Sequence, residues 1–384
     1  MSLSKKTVIS MRPEIFLILY CVRINLTQKE KKQIEILLEK ELNWEYLTNV
    51  ADQHRVLPLI YMNLVENFKN DIPIVIFDRL RYWYHANTIQ NKLILRELSR
   101  LIESFLDANI PIIPFKGPTS AILIYGNISL RQFNDLDILV HEKDYNHAQK
   151  ILIELGYSKK SDWGFECGFQ HGSSGINVDL HRKFDKHELY TEFDFKRLLS
   201  RLESSYIENQ KIPALSVEDT LIHLCVNFAK DLFINKNKLS QICDIANLID
   251  NHQNQDWLTV IKRTGACGTQ RILFLCLLLS KQLFGTNLPE EVLKELKRHR
   301  HPQLKSLVPE VCNRIMNLVC GKSQFLEVQG GYVGNKILHI KLKERLRDRI
   351  PIYRQIIRYY YHFYTNKIIA AVLRIISPII YRRV

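Results

Sequence analysis

The chain has 384 residues, 46% hydrophobic and 24% charged, and reads as a soluble globular protein of about two or three domains with a substantial core. Its net charge of +14 is unevenly spread: eleven Lys and Arg against two acids fall in residues 341–384, so nine of the fourteen charges belong to that stretch. Eight cysteines form no CxxC pair, which excludes a zinc ribbon or a thioredoxin-like motif and suits reduced thiols in a cytoplasm.

The apolar run "IFLILYCV" after Glu14 is too short to span a bilayer and lacks a small-residue cleavage site, so no signal peptide is expected. Residues 1–90 read as an N-terminal helical region, with Pro58 interrupting the helical pattern of "NWEYLTNVADQHRVLPLIYMNLV". An α/β core is expected over 91–205. It opens with a helix whose apolar face is Ile94, Leu98, Leu101, Ile102 and Phe105. "ANIPIIPFKG" reads as a strand whose prolines favour a sheet edge, and Gly117–Pro118 suits the start of a helix through "TSAILIYG". "RQFNDLDILV" is a strand, and "HEKDYNHAQKILIELGY" a helix ending at Gly156. "WGFECGFQH" and "INVDLHRKF" are β-like and flank the turn "GSSG". A C-terminal helical domain follows over 206–328, capped at its start by Ser216 with Asp219 and striped by Leu221, Leu224, Cys225 and Phe228. "QGGYVGNK" reads as a linker into a basic amphipathic tail, 329–384.

The chemistry concentrates in three short stretches. In "RQFNDLDILV", Asp135 and Asp137 share one face of the strand while Leu136, Ile138 and Val140 point into a core. Two carboxylates so close repel unless a cation sits between them, and hard oxygen ligands suit Mg²⁺. The bland alternative is a strand end with one aspartate capping a turn and the other solvated. "INVDLHRKF" adds a third mid-strand carboxylate, Asp179, on the face it shares with Asn177 and His181. Upstream, "FKGPT" joins a strand to a helix N-terminus through a glycine turn. N–H groups there, with Thr119 or Ser120, make a phosphate cradle, to which Lys116 adds a point charge and Arg131 a forked donor. A zinc site from Cys167, His171, His181 and His187 matches no standard module.

"PFKGPTSAILIYG", "LRQFNDLDILV", "ILIELGY" and "INVDLHRKF" together resemble an uncharacterised bacterial nucleotidyltransferase family of the DNA polymerase β-type superfamily. "NWEYLTNVADQHRVLPLI", "EDTLIHLC" and "ICDIANLI" fit the same pattern, so the resemblance spans roughly residues 40–285. Asn134 stands where that family often has serine, and the glycine turn lacks the paired Gly-Ser of many polymerase β-type enzymes. The resemblance implies an α+β fold: a polymerase β-like mixed-sheet core flanked by N-terminal and C-terminal helical regions. It also implies an enzyme, a Mg²⁺- or Mn²⁺-dependent nucleotidyltransferase that binds ATP or another nucleoside triphosphate.

The expected reaction passes a nucleoside monophosphate to an acceptor hydroxyl of a small molecule, peptide or protein, with Asp135, Asp137 and Asp179 as metal ligands and catalytic residues. Lys116, Gly117, Thr119 and Arg131 are the nucleotide-binding candidates, and His181, Lys230 and Asp244 are candidates for touching substrate or supporting the ligands. Two alternatives stay open: a catalytically silent nucleotide-binding regulatory module, and a toxin-like enzyme acting on tRNA. Relieving a like-charge cluster costs little, so Asp137→Asn is expected to leave the metal-free fold intact. For residues 341–384 the readings are packing on the protein's own body, peripheral contact with an anionic membrane, or an RNA or protein partner. The longest uncharged stretch considered there, "IISPIIY", is too short to span a bilayer. The expected location is the cytoplasm, with membrane-peripheral binding through that tail as the variant.

Overall fold

The computed structural model describes residues 11–184, 194–208, 210–234, 236–298, 302–321, 332–344, 349 and 352–357. It opens with helices α1 (Pro13–Cys21), α2 (Gln28–Leu38), α3 (Trp44–Gln53) and α4 (Leu57–Phe68). Thr27 and Glu30 close the start of α2 as a reciprocal capping box. Pro58 does not interrupt a helix as expected. It sits in the first turn of α4, where its missing N–H is no loss. The break falls just before it, where Arg55 takes φ +57°.

The apolar face counted from Ile94 to Phe105 belongs to a much longer helix, α5 (Ile74–Asp107), which buries Ile94, Leu98, Leu101 and Phe105. After it come β1 (Ile112–Pro114), α6 (Pro118–Tyr125), β2 (Asp135–Val140), α7 (Tyr145–Glu154), β3 (Tyr157–Asp162), β4 (Glu166–His171) and β5 (Asn177–His181). The strands form one mixed sheet in the order β1-β2-β5-β4-β3, with β1 at the edge that its prolines require. β2 and β5 run parallel, and the other neighbours are antiparallel. Strand alternation then sorts the residues. Leu136, Ile138, Val140, Val178 and Leu180 join the α5 face in one core. On the other side, past the acidic residues, Leu139 closes a small apolar cluster with Ile113, Phe115 and Phe184.

Beyond the sheet lie α8 (Phe195–Leu199) and a hairpin of β6 (Glu203–Ile207) and β7 (Gln210–Ala214). Ile207 and Ile212 pack with the sheet, so its core continues past the boundary expected at 205. Helices α9 (Val217–Leu232), α10 (Leu239–Asn251), α11 (Trp257–Cys267), α12 (Gln270–Phe284), α13 (Glu290–Arg298), α14 (Pro302–Val319) and α15 (Tyr332–Leu342) complete the described chain. Ser216 caps α9 by accepting from the Asp219 N–H at 3.2 Å, as expected. These helices share one apolar core with α1–α4, in which Ile18 and Leu59 lie in the same cluster as Leu221, Ile245 and Leu275. Polar ties fix the union: Arg23 donates to Asp250 at 2.8 Å and the Ile24 N–H to Asn247 at 3.1 Å.

The α+β class expected from the sequence, a mixed sheet with helical regions on either side of it in the chain, is the one adopted. The linker reading of "QGGYVGNK" fails in its second half. Tyr332 already begins α15, which buries Leu338 and Leu342 against the helical body. The stretch "IISPIIY" and most of the basic tail lie outside the described residues. Among the described residues no helix is long and apolar enough to cross a membrane. All eight cysteines are free thiols.

Candidate active site

The parallel register sets Asp137 directly beside Asp179, with Asp135 two residues back on β2 and beside Asn177. Alternation puts Asp135, Asp137, Asp179 and His181 on the sheet side away from the main core. β4 makes room for them, because Gly168 pairs with Asp179. A Cβ on Gly168 would stand 2.6 Å from Ser161 Oγ and 3.3 Å from Asp179 Oδ1. A side chain there would have to displace Ser161 and crowd the Asp179 carboxylate.

Asp137 is 6% exposed and is held from two directions. Lys116 Nζ, just past β1, donates to its Oδ1 at 2.7 Å. His181 Nε2 lies 3.1 Å from the same oxygen. A carboxylate only accepts, so this nitrogen carries the hydrogen. The other ring nitrogen, Nδ1, is 3.4 Å from Glu166 Oε2. His181 is thus hydrogen-bonded to Asp137 through Nε2, while its buried Nδ1 approaches Glu166 on β4 without a hydrogen bond.

These contacts split the carboxylates electrostatically. Burial pushes Asp137 up, but the Lys116 ammonium and His181 outweigh it and hold the group well below the usual carboxylate range. Burial raises Asp135, and the Asp137 charge raises it further. Asp179 is raised to about 6, first by burial and then by the charges of Asp137 and Asp135. Burial pulls Lys116 down, yet attraction to Asp137 leaves it above the ordinary lysine range. The expectation that Asp137→Asn leaves the metal-free fold intact is therefore revised. Asp137 is a satisfied partner of a half-buried lysine, and Asp179 is the carboxylate whose charge is unwelcome.

A cavity of about 750 Å³ opens beside this face, and Asp135, Asp137, Lys116 and Gly117 line it. Gly117 has φ +60° at the turn into α6, a backbone that side chains rarely adopt. Arg131, Lys230 and Asp244 line the cavity too. Arg131 is ion-paired there: its Nε donates to Asp244 at 3.0 Å. Tyr125 OH donates to the other oxygen of Asp244 at 2.7 Å. Asp244 thus serves as an anchor for Arg131. Thr119 is turned inward, donating to the Lys116 carbonyl at 3.0 Å, and does not line the cavity. Asp179 also stands outside its lining, on the next strand.

Glu166, Gly168 and Arg55 were not singled out from the sequence. Glu166 and Gly168 matter through the pairing of β4 with β5, which no local pattern announces. Of the imagined zinc ligands, Cys167 points into the sheet core, on the side opposite His181, and His187 lies outside the described residues. Among the described residues no group of three or more His, Cys, Asp or Glu is arranged to hold a metal ion. As the side chains stand, Lys116 neutralises Asp137. The donor chemistry still suits a hard divalent cation: three carboxylates on one sheet face, two of them raised by burial and then by neighbouring acids.

Several solved structures are distantly similar. The lincomycin-bound lincosamide antibiotic adenylyltransferase LnuA is 19% identical, with a TM-score of 0.31 over 40% of this chain and 94% of its own. An antigenic nucleotidyltransferase-like protein from Paracoccidioides brasiliensis is 15% identical, with a TM-score of 0.32 over 47% of this chain and 93% of its own. The antibiotic-resistance factor ANT(2'')-Ia is 15% identical, with a TM-score of 0.28 over 57% of this chain and 97% of its own. No curated protein matches. The model of a family described as uncharacterised nucleotidyltransferase matches residues 40–285, well over half of the chain, and the chain belongs to that family.

Proposed function

We propose that the protein transfers a nucleoside monophosphate from a nucleoside triphosphate, ATP in the first instance, to an acceptor hydroxyl. The observation that carries this reading is the register of β2 and β5, which pairs Asp137 with Asp179 beside a cavity of about 750 Å³ that Asp135 and Asp137 line. Asp135, Asp137 and Asp179 are the residues that would hold Mg²⁺ or Mn²⁺. When bound, such an ion supplies charge neutralisation for the triphosphate and acidifies an attacking hydroxyl. The backbone after Gly117 and the first turn of α6 offer N–H groups to a phosphate. His181, hydrogen-bonded through Nε2 to Asp137 Oδ1, orients the Asp137 carboxylate. Asp179, on the adjacent strand, completes the set of carboxylates that would hold the ion beside the acceptor hydroxyl. The acceptor is a small molecule, peptide or protein rather than RNA, because most of the net positive charge falls after residue 340.

A second reading, a silent nucleotide-binding module, draws support from the Lys116–Asp137 ion pair at 2.7 Å, which neutralises Asp137 without a metal. One experiment separates the two. The purified chain is incubated with each labelled nucleoside triphosphate and Mg²⁺ or Mn²⁺, and pyrophosphate and labelled products, including the chain itself, are followed. Pyrophosphate release that Asp135→Asn abolishes supports transfer. Nucleotide binding without turnover across acceptor panels and cell extracts supports the silent module.

A further inference from the structure

Resting on the nucleotide reading, we propose that Arg55, in the turn between α3 and α4, is a nucleotide-contacting residue whose guanidinium receives the polyphosphate inside the cavity. Arg55 lines that cavity together with Asp135, Asp137 and Gly117, although it comes from a different part of the chain. Its backbone sits at φ +57°, in the left-handed region where glycine or asparagine is the usual choice after a helix. Two hydrogen bonds hold it there, Arg55 N–H to the Asp52 carbonyl and Val56 N–H to the Ala51 carbonyl, both 2.9 Å. A strained, non-glycine residue in a turn that glycine would suit better points to a use for the side chain.

The turn is also fixed against α10. The Leu239 N–H donates to His54 Nδ1 at 3.1 Å, and the Ser240 N–H to the His54 carbonyl at 3.2 Å. Lys238 Nζ reaches the Gln53 carbonyl at 2.7 Å. Arg55 is thus presented from a rigid mount rather than a loose loop. Several other cations of the cavity are already engaged: Lys116 with Asp137, Arg131 with Asp244, and Lys238 with Gln53. Arg55, Lys230 and Lys236 line it without a side-chain hydrogen bond or ion pair among the described residues. Arg55 is near enough for its charge to draw Asp135 downward, yet forms no ion pair with it among the described residues. A forked, permanently charged donor left unpaired beside an acidic pair matches a ligand with phosphate oxygens.

The test uses the full chain with Mg²⁺, titrated with inorganic tripolyphosphate, the four nucleoside triphosphates and the matching nucleosides. Arg55→Ala is expected to weaken binding of tripolyphosphate and triphosphate by about tenfold or more, with nucleoside binding unchanged. Arg55→Gly is expected to show the same loss while its melting temperature holds or rises, since glycine relieves the backbone. Wild-type polyphosphate affinity in both variants overturns the assignment. So does an equal loss for nucleosides, or a fall in melting temperature in both variants, either of which marks a structural role. Failure of the wild-type chain to bind any triphosphate overturns the nucleotide reading itself, and this inference with it.

Discussion

The two faces of the five-stranded sheet are cut from the same strands and obey different rules. On one face Leu136, Ile138, Val178 and Leu180 are at most 2% exposed and need nothing but shape to be stable there. On the other, Asp137 and His181 are nearly as deeply buried, at 6% and 3%, and survive because each has a charged or polar partner. The lesson is that depth alone does not separate core from site. What separates them is whether a buried group is satisfied by contact or by a named counter-charge.

The hardest way to break the comparison is on the apolar face. Leu180→Ala should cost about 2–5 kcal/mol in urea unfolding, because the cavity it leaves is walled by sheet and helix on fixed backbones. The same truncation logic fails on the polar face. There Asp137→Asn should lower pyrophosphate release by roughly 10²–10³-fold in steady-state assays, while a variant that keeps near-wild-type turnover would remove Asp137 from the chemistry.

Stability measurements sharpen the contrast within the polar face itself. Asp137→Asn should destabilise the metal-free protein by about 1–3 kcal/mol: the amide oxygen can still accept, but Lys116 loses its counter-charge and the new NH₂ group faces cationic neighbours. Asp179→Asn should hold or slightly raise stability, because it removes a charge disfavoured by burial and by two neighbouring acids. Equal losses in the two variants would contradict the electrostatic division drawn between them.

The smallest effect is one of pH. Asp179 has its folded pKa raised to about 6, so between the unfolded value near 4 and about 6 the native state binds more protons than the unfolded chain. Its contribution therefore falls as pH rises through that window and is flat above it. Relative to Asp179→Asn, the wild-type protein should lose on the order of 1 kcal/mol between pH 4 and pH 7 once partial exposure is allowed for. A flat difference profile would mean the carboxylate is better compensated than its neighbours suggest.

Which face each strand residue takes is legible in the sequence, and what assembles around the polar face is mostly not. Alternation in β2 and β5 is a local property, so the facing of Asp135, Asp137, Asp179 and His181 could be read from residue parity alone. That β5 lies parallel beside β2, so that Asp137 meets Asp179, depends on how the β4–β5 hairpin docks, which no run of residues encodes. Strand β3, "YSKKSD", went unread because an exposed sheet edge carries no alternating apolar signal. The pairing of Arg131 with Asp244 went unread for a related reason: the two are 113 residues apart in sequence. Arg55 stayed invisible because it matters only once the α3–α4 turn is carried to the cavity by packing.

The shared core of the first and last helices also bears on how the molecule is made. Arg23 and Asp250, which tie the two regions, are 227 residues apart. At ribosomal speeds of about 5–20 residues per second, the second emerges roughly 10–45 seconds after the first. For that interval Leu17, Ile18 and their neighbours have only the other early helices to cover them, while the partners in α10 and α12 are still unmade. The sheet between them is finished first and must hold its shape without the outer helical shell. The nascent chain therefore passes through a long stage with apolar surface waiting at its leading end, a natural point for holding by a chaperone during synthesis and a weak point when it is overproduced.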